Sequence, residues 1–287
     1  MRVPRTVLRA VTTVLPVSFS ALVLVVVAGA LPGLVAWALV GSVMVSTTGL
    51  LFGIGEGVAC RLLFGARCPG ELERSVLGPA VARVCRAGLG PPLVELRVAR
   101  RGDGLLASPF GHRIVLVPAG LLAGVQAGTV SHASAAASIC HAAAVTRAGL
   151  TSLEPGFGVW CLPWLLMARC TAVAARVPLL RLAWRARLVV VTVAIAQLLD
   201  TDHVLMGLGL AVLAVATYLL PAADRAVDGH VVAVGDAGVV SAGLGRDFLV
   251  LLDRSGAQVG LERRARLATP ASEPTSGARI LDLVPTH

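Results

Sequence analysis

A long stretch without charge constrains this chain more than any other feature, because the run from Val14 to Gly55 contains no Asp, Glu, Lys or Arg. A membrane-spanning helix needs about 20 apolar residues, so the run has room for two helices. The tripeptide Leu31-Pro32-Gly33 interrupts it, and a Pro-Gly pair marks a turn. The sequence therefore predicts a helical hairpin, with helices near Thr12–Ala30 and Leu34–Ile54.

The composition favours a membrane environment. Hydrophobic residues make up 56% of the chain and charged residues only 14%, whereas soluble domains have about 25% charged residues. The net charge is +9 and the chain has no lysine, so arginine supplies the positive charge; arginine beside apolar segments marks the cytoplasmic side of a membrane. No basic stretch is interleaved with stacking aromatic residues, which excludes nucleic acid as a partner. We expect a multi-pass protein of the cell membrane, with its main domain in the cytoplasm and the lipid bilayer as a partner.

A second apolar region, Gly156–Leu220, follows later in the chain. Its most continuous runs are Leu188–Leu199 and Val204–Leu220, which the acidic connector Asp200–His203 joins. These runs predict another membrane hairpin, near residues 185–220. Together with the N-terminal hairpin, this gives about four transmembrane helices, within a range of about three to five.

The residues between the two apolar regions predict a small α+β unit. Helical spacing of apolar residues extends over Glu71–Ala87, and an Ala-rich helix is expected over Ala127–Arg147. Three short segments with alternating or β-branched residues predict strands: Val94–Ala99, Leu105–Pro109 and Arg113–Pro118. After the second apolar region, helices are expected at Pro221–Gly235 and Leu261–Leu267, with an apolar piece at Phe248–Leu252 between them.

The order of these parts resembles the HtpX-type membrane zinc metalloproteases. Four segments match the family's motifs in the family's order: Gly104–Ser108 with Arg113–Leu122, Ala135–Arg147 at the catalytic helix, Asp224–Asp228 with Gly235 at the Glu-x-x-x-Asp motif, and Leu261–Leu267 at the closing helix. The resemblance covers about residues 14–267. It implies a membrane α-helical protein with a small zincin-like α+β domain in the cytoplasm.

The sequence therefore predicts five segments. They are an N-terminal transmembrane hairpin at 1–57, a protease-like domain at 58–155, membrane segments at 156–220, a helical part of the protease-like domain at 221–267, and a disordered tail at 268–287.

The catalytic helix departs from the family at the residues that perform the chemistry. A zincin helix carries His-Glu-x-x-His, in which the two histidines bind the metal and the glutamate activates water. The matching residues here are His141, Ala142 and Val145, so the base and the second histidine are missing. Asp224 stands where the family has its glutamate ligand. The resemblance therefore implies no catalytic residue, two remnant metal-ligand positions at His141 and Asp224, and zinc as an open question.

Two other site interpretations remain open. His230 follows Asp224 by six residues, so a rebuilt metal site of His141, Asp224 and His230 is an alternative to a lone histidine on an Ala-rich helix. The segment formed by Leu105, Leu106, Ala107 and Ser108 is either a hairpin turn or, as the resemblance implies, an edge strand that holds an extended peptide by strand addition.

The sequence thus predicts a protease-like membrane protein that no longer cuts and acts as a binding or regulatory protein. Its expected partners, besides lipid, are membrane proteins or unfolded polypeptides. One alternative is a divergent, active zinc metalloendopeptidase of the membrane. The other is a structural membrane protein unrelated to proteolysis.

Overall fold

The computed structural model describes residues 5–90, 94–100, 102–174, 192–193 and 227–269. The chain divides into two compact units: Met1–Gly49 with Gly156–His230, and Leu50–Pro155 with Val231–His287. We call them the N-terminal unit and the sheet unit. Most of the tail that the sequence predicts to be disordered lies outside the described residues.

Before residue 227, the structure describes eight helices, a helical pair of residues and three strands. The helices are α1 (Arg5–Gly29), α2 (Gly33–Leu51), α3 (Glu56–Phe64), α4 (Glu71–Arg86), α5 (Ala119–Gln126), α6 (His132–Arg147), α7 (Glu154–Trp160) and α8 (Leu162–Ala174), with a helical pair at 192–193. The strands are β1 (Glu95–Val98), β2 (Ser108–Phe110) and β3 (Ile114–Val117).

The N-terminal unit consists of apolar helices: α1, most of α2 and α7, and α8. The chain turns between α1 and α2 at the predicted Pro-Gly break. Trp160 Nε1 donates a hydrogen bond of 3.2 Å to the Val17 carbonyl, and the rings of Phe19 and Trp164 meet edge to face at 5.4 Å. Aromatic contacts therefore pack α1 against α7 and α8.

The prediction of a multi-pass protein with about four transmembrane helices is wrong. Among the described residues, one helix, α2, is long and apolar enough to cross a membrane. Helix α1 contributes the shorter apolar helix Pro16–Gly29. The second hairpin, predicted near 185–220, lies outside the described residues apart from the pair at 192–193.

The three strands form one sheet in the order β1-β3-β2. β1 runs parallel to β3, and β2 runs antiparallel to it. All four residues of β3 are buried, as expected for a central strand between two neighbours. The predicted positions of β1 and β3 are confirmed, because alternating and β-branched residues favour strands. The second strand begins at Ser108, three residues later than predicted.

Helices α4, α5 and α6 pack with this sheet around the core. Helix α6 begins at His132, five residues later than the sequence predicts. The Ser131 hydroxyl accepts a hydrogen bond of 3.0 Å from the Ser134 N–H, which caps the helix. Gly128, at φ 69°, adopts a left-handed conformation after the end of α5. The turn between α5 and α6 therefore takes up the first residues of the predicted Ala-rich helix.

Three C-terminal helices complete the core. They are residues 227–241, which we call α9, α10 (Gly245–Arg254) and α11 (Leu261–Ala268). Phe248, Leu251 and Leu252 of α10 and Leu267 of α11 are buried. The apolar piece and the basic helix that the sequence predicts are both confirmed, whereas α9 continues beyond the predicted end at Gly235. Helix α6 is thus covered by α4, the sheet and the C-terminal helices.

Candidate functional site

The predicted site residues are placed unequally. His141 lies on α6, and its side chain is 15% exposed. Ala142 and Val145, at the positions of the missing base and second ligand, are fully buried in the core. Asp224 lies outside the described residues, so the predicted pair His141–Asp224 and the rebuilt site with His230 stay predictions.

His141 contacts three residues that the sequence did not connect with it. Its ring stacks on Phe248, with centroids 4.9 Å apart and planes 24° from parallel. Its Nε2 atom lies 3.5 Å from Oδ1 of Asp236. A side-chain carbon at Gly235 would overlap the same nitrogen. The imidazole is therefore enclosed between α9 and α10.

Asp236 is the centre of this arrangement. Its carboxylate is 4% exposed and accepts two hydrogen bonds of 2.8 Å from the Arg263 guanidinium. The same guanidinium lies 5.9 Å from the centroid of the Phe248 ring. Burial raises the pKa of the Asp236 carboxyl, but the His141 ring and the Arg263 guanidinium beside it outweigh burial and hold the pKa below its ordinary value. We call His141, Asp236, Phe248 and Arg263 the His141 cluster.

Small residues bring α9 close enough to α6 for these contacts. A side-chain carbon at Gly238 would overlap Cβ of Ala144. One turn away on α6, Cys140 Sγ donates to the Gly238 carbonyl at 3.6 Å. Gly235 and Gly238 are three residues apart, so both lie on the face of α9 that meets α6. Glycine and alanine thus set the distance between α6 and α9, and the His141 cluster lies where the two helices meet.

The capacity of the cluster for metal or nucleophilic chemistry is small. Across the described ranges, no group of three or more His, Cys, Asp and Glu side chains is placed to hold a metal ion. The carboxylate nearest to His141 is already bound by Arg263. Burial raises the pKa of the Cys140 thiol to about 12, so this neighbour carries no thiolate at neutral pH. The observed contacts suit a role in holding α6 and the three C-terminal helices together.

The predicted peptide-binding edge offers few hydrogen-bond donors. Leu105 and Leu106 are half-buried residues before β2, and Ser108 is its exposed first residue. The Ala107 N–H already donates to the Ser138 hydroxyl at 2.7 Å. The next residue of β2 is a proline, which has no N–H and opposes further pairing on an edge strand. Few backbone N–H groups on this edge are therefore available to pair with a peptide.

A second contact that the sequence does not predict joins the buried Glu56 to the partly exposed His112. The Glu56 carboxylate is 5% exposed and accepts from the His112 N–H at 2.7 Å, and His112 Nδ1 lies 2.6 Å from the same oxygen. Gly111 leaves the space that the carboxylate fills, and the Thr151 hydroxyl donates to the Gly111 carbonyl at 2.9 Å. This pair fastens the start of α3 to the turn between β2 and β3. The one sequence feature that marks this contact is a single acidic residue, Glu56, which stands between two glycines after a long uncharged stretch.

Asp236 and Arg263 were missed because nothing in their local pattern distinguishes them from surface charges. Asp236 stands among Val, Gly and Ala, and Arg263 is one of several arginines in α11. Comparison of the chain with protein-family models, with curated proteins and with solved structures finds no match. Functional proposals for this chain therefore depend on its geometry.

Replacement of Gly235 by Ala tests the close approach of α9 to His141. Alanine normally stabilises a helix relative to glycine by about 1 kcal/mol, but here it would overlap His141, and overpacking costs about 1–3 kcal/mol. We expect Gly235→Ala to lower the free energy of unfolding of the detergent-solubilised chain, measured by chemical denaturation. Gly229→Ala is the matched control, because Gly229 is on the same helix with nothing within 4 Å. Equal effects of the two substitutions would contradict this packing.

Acid titration tests the Asp236 ion pair. A carboxyl whose pKa is lowered by folding contributes stability that is complete above its unfolded pKa and disappears as the pH falls through the folded value. The stability difference between the wild type and Asp236→Asn should therefore be constant above the ordinary pKa of 3.8 and shrink below it. At pH 7 we expect a loss of about 3 kcal/mol in the variant, since Arg263 loses its partner. A difference that stays constant down to about pH 2 would refute the pairing.

Proposed function

We propose that this chain is a membrane-anchored, non-catalytic protein with a domain like that of the HtpX-type proteases, and that it acts by binding polypeptide. One observation carries the non-catalytic part: the single histidine of the protease-like motif, His141, is enclosed by Gly235, Phe248 and the Asp236–Arg263 pair. An imidazole in that position has its ring nitrogen directed at the neighbouring helix. Its contacts serve helix packing.

The residues beside His141 support the same conclusion. Ala142 stands where a metalloprotease needs a general base, and that group contributes about 10²–10⁴ in rate. Val145 stands where the second ligand is needed, and a catalytic zinc has about three protein ligands. Both side chains are fully buried against the core. A charged or ligating residue at either position would be removed from water, so the packing of α6 is adapted to apolar side chains there.

Helix α2 supports membrane anchoring. Its 19 residues contain no charge, and almost none of its apolar surface is buried within the protein. Leu34 and Trp37 are 86% and 80% exposed. Such exposure is costly in water and favourable in lipid.

The distribution of arginine around α2 supports a cytoplasmic sheet unit. On the N-terminal side of α2, the uncharged sequence extends back to Ala10. On its C-terminal side, Arg61 and Arg67 follow within the sheet unit. The arginines nearest to α2 therefore lie after it, and short flanking segments rich in arginine remain in the cytoplasm.

The edge of β1 offers a better place for polypeptide than the predicted edge at β2. Glu95 and Ala99 donate their N–H groups to the chain at Arg113 and Val117, so the alternate residues of β1 present their backbone groups away from β3. Leu96 is one of these alternate residues. An extended segment that pairs with Leu96 would therefore add a strand to the open edge of β1.

One segment of the chain itself already pairs with this edge. Val98, the other outward-directed residue of β1, pairs with Arg67 in an antiparallel bridge, with bonds of 3.0 and 2.8 Å. The bridge ends after one residue pair, and Leu96 lies two residues before Val98 on the same edge. A bound segment would continue the pairing that Arg67 begins.

An apolar groove of about 640 Å³ adjoins Leu96. Leu77 and Val81 are among the residues that line it, and Arg74 and Glu95 provide polar groups. A strand-addition site combines open backbone groups with pockets for alternate side chains. The groove therefore suits an extended apolar polypeptide, which is the occupant that we propose.

Metal content and proteolysis test the non-catalytic part of the proposal. We expect the purified full chain to contain well below one zinc per molecule by elemental analysis and to leave casein uncut. His141→Ala should change neither result, because His141 packs against α9 and α10. Stoichiometric zinc that disappears in His141→Ala, together with chelator-sensitive cleavage, would instead establish an active metalloprotease.

Removal of one backbone donor tests the β1 edge. Leu96→Pro deletes an N–H that points away from β3, and an edge strand tolerates proline. Fluorescein-labelled casein, an unfolded polypeptide, should bind this variant about fivefold more weakly, as expected for one lost hydrogen bond of about 1 kcal/mol. Leu96→Ala is the control that keeps the N–H. Unchanged casein affinity in Leu96→Pro, with the thermal unfolding of the protein preserved, would remove this edge from the proposal.

A further inference from the structure

An exposed apolar surface follows α2 in the chain. Its large side chains are more than 60% exposed and belong to Phe52, Ile54, Val58 and Leu62. Val58 and Leu62 are one turn apart on α3, so they lie on one face of this helix. Large apolar side chains grouped at a surface mark a contact with protein or membrane.

A basic cleft lies at the C-terminal end of α3. Arg61, Arg67 and Arg100 line a cavity of about 520 Å³, and the buried residues Ala66 and Val98 contribute apolar surface to it. All of these residues belong to the sheet unit. Since Arg61 is itself on α3, the cleft joins positive charge to the helix that carries the apolar surface.

Only one of the three arginines is neutralised by the described part of the chain. Arg67 donates two hydrogen bonds, of 2.7 and 2.6 Å, to the Glu73 carboxylate, and this contact lowers the pKa of Glu73. Arg61 and Arg100 form no ion pair with any described carboxylate. Guanidinium groups bind phosphate oxygens through parallel N–H donors, so these two arginines are suited to a phosphate.

We propose that this cleft binds the phosphate of an anionic membrane lipid, while Phe52, Ile54, Val58 and Leu62 rest in the surface of the bilayer. The inference relies on the proposed anchoring by α2, because Arg61 follows the end of that helix by only ten residues. An apolar surface beside the charge favours lipid over a soluble phosphate compound. Each arginine near an anionic bilayer contributes about 1 kcal/mol, which corresponds to about fivefold in affinity.

Lipid binding to the detergent-solubilised full chain tests the cleft. Native mass spectrometry would compare phosphatidylglycerol, which is anionic, with phosphatidylcholine, which is neutral overall. We expect a preference for phosphatidylglycerol that falls at least about tenfold in the double variant Arg61→Gln/Arg100→Gln. Arg86→Gln/Arg246→Gln is the matched control, because it removes the same charge from exposed arginines outside the cleft and should keep the preference.

Two further measurements distinguish the lipid proposal from its alternatives. Inorganic phosphate should compete weakly with phosphatidylglycerol; competition at equal concentration would assign the cleft to a soluble phosphate compound and overturn the lipid proposal. Equal affinity for the two lipids, or an unchanged preference in the cleft variant with its circular dichroism preserved, would also overturn it. Carbonate extraction of native membranes reports on anchoring by α2 separately, so failure of the anchor and failure of the cleft are distinguishable.

Discussion

The close approach of α9 to α6 is the contact on which the sheet unit depends. Gly235 and Gly238 let the two helices meet, and the space that remains is filled by His141 and the Asp236–Arg263 pair. Removing one partner of a buried pair is costly because the other charge loses its compensation. The contact that closes the core therefore also encloses the histidine.

Local features were predictable from the sequence, because they depend on neighbours in the chain. The strands Glu95–Val98 and Ile114–Val117 follow from their residue types, and Leu261–Ala268 follows from its helical pattern. The number of spans was not predictable in this way. Apolar length in the sequence predicted about four spans, whereas α2 alone among the described helices is long and apolar enough to cross a membrane. Composition reports how much apolar sequence exists, whereas spanning depends on how breaks divide it.

The site depended on contacts between distant segments. His141 and Asp236 are separated by 95 residues, and no periodicity connects positions so far apart. The predicted peptide edge is a similar case. Residues 105–108 fall at an edge of the sheet, but the hydrogen bond from the Ala107 N–H to Ser138 depends on the tertiary structure and could not be predicted from local sequence. At the other edge, Leu96 has its backbone directed outward because β1 pairs with β3 in parallel. Sequence patterns placed the strands, whereas the hydrogen bonds show which backbone groups are already used within the chain.

The sheet unit consists of two segments of the chain, which the ribosome synthesises at different times. Phe248 and Leu267 complete the core around α6, yet Leu267 leaves the ribosome 120 residues after Arg147. At about 5–20 residues per second, this interval is roughly 6–24 s. During that time the face of α6 that carries Cys140 and His141 has no C-terminal cover. A nascent chain of this design is therefore most vulnerable to aggregation while it is still being translated, and a chaperone that holds it would act on this face.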